Sequence, residues 1–298
     1  MAFRAAEYER FHGNRSSLPA WWPIFKATMH RGWKVTWVRR ICLGALVSAF
    51  GLTLMFYMLY KVIPGWRELM QQFGQMVDPE EKLPFKIDAR FYAGILKLYI
   101  YPVLLPLSVL FGQDLISSDM RTRALEAYFA RPLTPLTYLL GRTFAFLAFL
   151  LGATLLPLLW VWCFDVLTAP TGHFELVSMV PKGIFLSFGG VSLVLALLIQ
   201  AVSSISKSST WTSMGLIVLF ILSTPIAHIL HELTDMAGFL ALSIPESIGI
   251  IIYSALDLGE KIDSDHASPI QAIFLFAGIA LLSLIILWRR ILRKGVVG

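Results

Sequence analysis

The hydrophobic positions of this 298-residue chain are concentrated in six long apolar stretches separated by more polar segments. The stretches cover residues 41–63, 92–112, 136–163, 183–205, 211–230 and 270–288. Each is close to the ~20 residues that a helix needs to cross ~30 Å of hydrocarbon. The pattern therefore predicts an all-α integral membrane protein with six transmembrane helices.

Composition and charge support this interpretation and add an orientation. The chain is 57% hydrophobic and 15% charged, with a mean hydropathy of +0.70, which is unlike a soluble domain. An even number of spans puts both termini on one side, and 17 of the 25 Lys and Arg residues but only 5 of the 19 acidic residues fall there. Because cytoplasmic loops carry the Lys and Arg excess, we expect both termini in the cytoplasm. The net charge of +6 then reflects topology, so nucleic-acid binding is not needed to explain it.

The first forty residues form a cytoplasmic N-terminus, residues 41–288 a six-span transmembrane domain, and residues 289–298 a basic cytoplasmic tail. Apolar side chains recur at helical spacing within residues 19–40, with basic residues between them. This pattern predicts an amphipathic helix in the headgroup layer, where Lys26 would have to snorkel. Membrane anchoring and a regulatory role both remain open. The apolar stripe consists of Trp22, Phe25, Met29, Trp33 and Trp37.

The loop between the second and third stretches predicts a short cytoplasmic helix over residues 119–130. Ser118 is a candidate cap, Asp119 favours the first turn, and Pro132 and Pro135 end the helix. Charged and apolar side chains alternate along it, which suits a surface that docks on another protein. A solvated connector that follows the positive-inside rule is the alternative. The candidate docking residues are Asp119, Arg121, Arg123, Leu125, Glu126, Tyr128, Phe129, Arg131 and Pro132.

This loop resembles the coupling-helix segment in permease subunits of type-2 ATP-binding-cassette transporters. There the segment reads close to Glu-Arg-x-x-Gly-Thr-Leu-x-x-Leu-Leu-x-x-Pro-(Leu/Ile/Val)-Ser-Arg, followed by Tyr-(Val/Leu)-x-Gly-Lys. Asp119 replaces the Glu, and Arg123, Ala124 and Leu125 replace Gly-Thr-Leu. Further along, Thr134 replaces Ser, Pro135 the second Arg, and Arg142 the Lys.

The resemblance implies a bacterial inner-membrane permease, expected to be an exporter, with six spans and an amphipathic helix before the first. It also implies a short re-entrant helix pair between the fifth and sixth spans. Residues 236–243 and 247–256, broken at Pro245, are too short to cross the bilayer and are the expected pair. A structured outer loop is the alternative.

The energy source is expected outside this chain. No phosphate-binding Gly-x-x-x-x-Gly-Lys-(Ser/Thr) motif occurs in the sequence. We therefore expect the chain itself to be neither an enzyme nor a cofactor-binding protein. The resemblance implies a separate ATPase subunit, in two copies, that uses ATP and Mg²⁺, together with a second permease copy or a paralogue.

Polar groups inside the stretches are further candidates, because each is costly in lipid unless it is paired or faces water. Lys97 either snorkels outward or contacts substrate, and Ser192 and Gln200 either face a pathway or join a helix contact. Asp114 and Arg142 lie at the inner ends of neighbouring stretches, which predicts an ion pair between them.

Two rival functions remain. His228, His231, Glu232 and Asp235 share one helix face near the outer surface and are weak metal-ligand candidates for a membrane enzyme. They do not form His-Glu-x-x-His, so a zinc protease is not implied. The second rival is a membrane scaffold or sensor without transport, whose Trp-rich helix binds a partner.

Overall fold

The computed structural model describes residues 19–63, 65, 86–129, 133–258 and 267–292, and within these ranges the chain is helical with short connections. Six helical ranges are long and apolar enough to cross a membrane. Numbered span 1 to span 6, they are Thr36–Val62, Ala89–Arg121, Pro135–Thr168, His173–Ile205, Ser209–Thr234 and Pro269–Ile291. The six predicted spans are thus confirmed, and the architecture is that of a multi-pass membrane protein.

Several spans are interrupted rather than uniform. Span 2 is helical over Ala89–Leu98 and Leu105–Gly112, and span 3 over Pro135–Ala153 and Leu155–Thr168. Span 4 has the helical parts His173–Val177, Val180–Ile184 and Val191–Ile205, and its wider π-helical turns cover Phe185–Gly190. Other π-helical turns cover Met58–Val62, Ile100–Leu104 and Trp288–Leu292. Such turns occur often at functional positions in helices.

Five shorter elements accompany the spans in the part of the chain that the structure describes. Their names are the pre-span helix (Trp22–Lys34), the two loop helices (Ser117–Arg121 and Ala124–Phe129) and the two hairpin helices (Ala237–Leu242 and Ile244–Ala255). The first loop helix forms the end of the span 2 range. The first hairpin helix is a 3₁₀-helix and the second is α-helical.

Spans 2, 3 and 4 form the interior of the bundle. In the most apolar stretch of each of these spans, 56–61% of the stretch is buried inside the protein, compared with 17–22% of the corresponding stretches in spans 1, 5 and 6. Span 4 packs against spans 2, 3, 5 and 6. Spans 1, 5 and 6 therefore expose most of their apolar surface to whatever surrounds the protein.

The pre-span helix packs closely on spans 2 and 3. A Cβ added at Gly141 of span 3 would lie 2.8 Å from the carbonyl oxygen of Trp21, and one added at Gly32 would lie 2.1 Å from the Phe111 ring. Because lipid tails are as apolar as leucine, such close packing is a main source of helix association in membranes. These two glycines therefore set how closely the helix approaches.

The pre-span helix presents its tryptophans outward. Its buried positions are Ile24, Thr28 and Gly32, whereas Trp22 and Trp33 are 36% and 52% exposed. The observed helix is also shorter than the apolar pattern of the sequence predicts, because extended backbone at Val35 ends it. Trp37 consequently belongs to span 1, while Phe25 and Met29 lie half-buried on the pre-span helix.

In the described part of the connection between spans 5 and 6, residues 235–258 contain two short helices close to the predicted ranges. The break lies at Ser243 instead of Pro245, because proline fits the first helical turn and the Ser243 hydroxyl accepts a hydrogen bond from the Glu246 amide at 3.3 Å. Ser243 also hydrogen-bonds Thr224 of span 5 at 2.9 Å. The second hairpin helix packs against spans 2, 4 and 6.

Candidate functional site

The predicted docking loop is two helices instead of one. The first ends at Arg121 and the second starts at Ala124, and Arg123 between them has a left-handed backbone with φ of 55°. The prediction of one continuous helix over residues 119–130 is therefore wrong. Ser118 is not the cap, because the first helix already begins at Ser117.

Asp119 lies at the centre of a buried polar network beneath this loop. Its side chain is 2% exposed and pairs with the guanidinium of Arg142 in span 3, which is itself 3% exposed. The Tyr138 hydroxyl, one helical turn before Arg142, donates a hydrogen bond to the same carboxylate at 2.7 Å. A carboxylate this deeply buried needs such charged and hydrogen-bonding partners. The pair therefore fixes the first loop helix on span 3.

The same network extends to the pre-span helix. Arg142 Nη1 donates a hydrogen bond to Thr28 Oγ1 at 2.9 Å, and the Thr28 hydroxyl donates to the Ile24 carbonyl at 2.7 Å. Arg31 reaches Asp119 Oδ1 at 3.3 Å and the Ser118 hydroxyl at 3.0 Å from a half-exposed position. Two cations on different elements thus hold one carboxylate, so that loop, pre-span helix and span 3 form one connected unit.

Span 4 holds the start of the loop by a different contact. The backbone amides of Ile116 and Ser117 both donate hydrogen bonds to the Ser203 hydroxyl, at 2.9 and 3.0 Å. The first amides of a helix lack partners within it and need an acceptor from elsewhere. Ser203 supplies that acceptor, and it connects the loop to the central span.

The candidate docking residues fall into distinct groups. Arg121 and Arg123 are exposed at the turn between the loop helices, whereas Asp119 is turned inward. Leu125 and Tyr128 are half-buried against the core around Tyr138. The side chains of Glu126 and Phe129, together with Arg131 and Pro132, lie outside the described residues. Among the loop side chains that the structure describes, the exposed charged ones are therefore basic.

The predicted ion pair between Asp114 and Arg142 is wrong. Arg142 pairs with Asp119 instead, because the turn after Gly112 carries Asp114 away and brings the first loop helix under span 3. Within the described part of the chain, Asp114 Oδ1 is buried without a hydrogen-bond partner.

The candidate pathway residues are mostly engaged within this chain. Gln200 is fully buried and donates a hydrogen bond to Thr143 of span 3 at 2.7 Å, so it joins a helix contact. Ser192 is also fully buried, and among the described residues its hydroxyl has no partner. Lys97 is exposed with its ammonium 4.7 Å from the Tyr253 ring centre, over the second hairpin helix. The structure does not bring these three together.

The metal-ligand candidates are not assembled either. His228 Nε2 lies 2.6 Å from a carboxylate oxygen of Glu246 on the second hairpin helix, instead of facing His231. Among the described residues no three His, Cys, Asp or Glu side chains come close enough to hold a metal ion. The His228 contact ties the hairpin to span 5.

A second buried polar cluster was not predicted from the sequence. Asp165 of span 3 is completely buried and accepts hydrogen bonds from the hydroxyls of Tyr60 and Tyr92, at 2.6 and 2.8 Å. His173 Nε2 is 2.9 Å from the same carboxylate. The cluster joins spans 1, 2, 3 and 4 at the end of the bundle opposite Asp119. An acidic residue only two positions after the third apolar stretch, and so close to the membrane, was the available signal.

Comparison with known proteins does not assign the chain. No protein-family model matches it, and no curated protein is significantly similar to it.

Proposed function

We propose that this protein is the permease subunit of a type-2 ATP-binding-cassette transporter, an exporter of the bacterial inner membrane. In this proposal a separate ATPase subunit binds ATP and Mg²⁺ and docks beneath the loop helices. Two ATPase copies and a second permease copy or paralogue complete the transporter. Both termini lie in the cytoplasm, as the positive-inside rule predicts.

The observation that carries the proposal is the Asp119 network. An energy-coupling loop must move together with the spans that it drives. The buried ion pair to Arg142 and the Ser203 hydroxyl connect this loop to spans 3 and 4, and Arg31 connects it to the pre-span helix. A mere solvated connector would not need a nearly fully buried charge pair, which is costly to desolvate.

The backbone at Arg123 gives independent support. In the family pattern that the loop resembles, the position of Arg123 is occupied by glycine. Here it adopts a left-handed conformation with φ of 55°, which glycine adopts without steric cost. Arg123 therefore has a backbone conformation that suits glycine, and glycine is the residue that the family pattern has at this position.

The exposed side chains define the chemistry of the docking partner. Arg121 and Arg123 project at the turn of the loop, so the facing surface of the ATPase should be acidic. Leu125 and Tyr128 are half-buried against their own core, so they support the loop and offer only part of their surface to a partner.

The test is isolation of the tagged chain from its native membrane in mild detergent, followed by mass spectrometry and a vanadate-sensitive ATPase assay. We expect the wild-type chain to recover a nucleotide-binding subunit. The double variant Arg121→Glu, Arg123→Glu should lose that subunit. Lys207→Glu is the matched control, because Lys207 is an exposed basic residue in the connection between spans 4 and 5, on the same side.

Retention of the ATPase by the double charge reversal would exclude this loop as the docking element. Recovery of no ATPase at all, under conditions in which a known membrane complex survives, would favour a scaffold or sensor.

A further inference from the structure

A cavity of about 460 Å³ opens between span 4, span 6 and the second hairpin helix. One wall follows span 4 through Lys182, Leu186, Gly190 and Val194, which recur every four residues. The facing wall is formed by span 6 around Ala277. Spans 4 and 6 run in the same direction, so the two walls form one elongated groove.

The groove has the length of one membrane leaflet. Twelve residues separate Lys182 from Val194, which corresponds to roughly 18 Å at ~1.5 Å per helical residue. Half of a ~30 Å hydrocarbon core is ~15 Å. The charge-based topology places the start of both spans at the outer face, so the groove extends inward from the outer boundary.

The lining is apolar except at one end. Among the described residues that line the groove, Lys182 is the only charged one and Ser254 the only hydroxyl. The Lys182 ammonium lies 3.8 Å from Asp257, and both side chains are more than half exposed. Such an exposed contact contributes little and leaves Lys182 able to exchange partners.

The volume suits an acyl chain. An apolar cavity of ~150 Å³ holds benzene, or ~25 Å³ per carbon, so this groove has room for about 18 carbons.

We propose that this groove binds one acyl chain of an anionic phospholipid of the outer leaflet, with Lys182 contacting the lipid phosphate. The apolar walls take the chain, and Lys182 at the membrane boundary, the one cation among the described lining residues, selects the negative head group. The proposal is independent of the function proposed above, because it needs neither an ATPase nor transport.

Gly190 provides the decisive variant. It lies at the middle of the span 4 wall, and a Cβ added there meets nothing within 4 Å. Gly190→Leu should therefore fill the groove without disturbing the helix. Gly189→Leu is the matched control, because Gly189 lies in the same π-helical turns, has equally open space, and does not line the groove.

The experiment is native mass spectrometry of the full chain in detergent, titrated with palmitoyl-oleoyl phosphatidylglycerol or with phosphatidylcholine of the same chains. We expect the wild type to bind phosphatidylglycerol about five-fold more tightly than phosphatidylcholine, since one lysine near an anionic head group contributes about that factor in affinity. Lys182→Gln should abolish this preference. Gly190→Leu should weaken both lipids by at least about ten-fold, since several buried methylenes are displaced, and Gly189→Leu should weaken neither.

Equal wild-type affinity for the two lipids would overturn the role of Lys182. Unchanged lipid binding in Gly190→Leu would overturn the groove as the site. If Gly190→Leu instead converted a two-copy species to one copy without losing lipid, the groove would be a contact between chains.

Discussion

Asp119 and Arg142 form a buried ion pair between the loop helices and span 3, although 23 residues separate them along the chain. Both side chains are almost fully enclosed, and each has a further partner, Arg31 for the carboxylate and Thr28 for the guanidinium. The pair thus joins the exposed basic turn to the interior of the bundle.

Neutralising one member of the ion pair should destabilise the protein strongly. Asp119→Asn leaves Arg142 as a buried charge without its counter-ion, a change that typically costs about 3 kcal/mol or more. At ~2–4 °C per kcal/mol for a chain of this size class, the melting temperature in detergent should fall by roughly 6–12 °C. Size-exclusion chromatography after heating measures this fall.

The control is the double variant Asp119→Asn, Arg142→Gln. It removes both charges and should melt above the Asp119→Asn single variant. Equal melting of the single and double variants would mean that the two charges do not stabilise each other. Asp257→Asn, in the exposed contact with Lys182, should change the melting temperature by about 2–4 °C at most.

Glycine at position 123 should stabilise the loop. The left-handed backbone of Arg123 costs roughly 1 kcal/mol in a residue with a Cβ, and glycine avoids that cost. We expect Arg123→Gly to equal or exceed the wild type in melting temperature. Arg121→Gly, at the last residue of the first loop helix, should instead lower it, because glycine loses more backbone entropy on folding there. The prediction is wrong if the two substitutions destabilise the protein equally.

A methyl group at Gly141 should displace the pre-span helix. The added carbon would lie 2.8 Å from the Trp21 carbonyl, and neither this backbone atom nor span 3 can yield easily. Overpacking of this kind typically costs about 1–3 kcal/mol. Gly141→Ala should also make the pre-span helix more accessible to protease, which limited digestion measures.

Gly152→Ala is the matched control for this substitution. Gly152 lies in the same helix of span 3, and an added Cβ there meets nothing within 4 Å. It should leave digestion unchanged and should not lower the melting temperature, because alanine is a better helix former than glycine. Equal effects at Gly141 and Gly152 would show that the close approach is not the cause.

Removal of the Tyr92 hydroxyl should weaken the polar cluster at Asp165. Tyr92 donates one of the hydrogen bonds that this completely buried carboxylate receives, so Tyr92→Phe should cost about 1.5–3 kcal/mol. Tyr101→Phe, at a position that is 60% exposed in the same span, should be close to neutral. Parallel thermal melts of the two variants test the difference, and equal stability would contradict the role of the cluster.

Much of the architecture could be predicted because membrane spans depend on local composition. A run of about 20 apolar residues must form a helix that satisfies its own backbone, whatever its neighbours are. The short helices around Trp22 and Ile248 were also recognisable, since apolar spacing and proline positions mark them. The bounds of the short helices were predicted less well. Extended backbone at Val35 ends the pre-span helix earlier than predicted, and the left-handed backbone at Arg123 divides the predicted loop helix into two.

The partners of the polar groups could not be predicted in the same way. Asp114 and Asp119 both closely follow the second apolar stretch, residues 92–112, and sequence distance favours neither as the partner of Arg142. The turn after Gly112 brings Asp119, and not Asp114, to Arg142. A change in chain direction over a few residues is enough to move a side chain to another part of the bundle. Likewise, His228 met Glu246 across a turn instead of His231 along its own helix.

The sequence by itself determined the number of spans, their approximate bounds, the predicted orientation and the presence of an amphiphilic loop, because these follow from hydropathy and charge counted along the chain. Only the tertiary structure decided that Asp119 is held by Arg142, that Asp165 joins four spans, and that a groove opens beside Gly190. These features depend on the rotation and spacing of helices from distant parts of the chain, and both result from packing across the whole bundle.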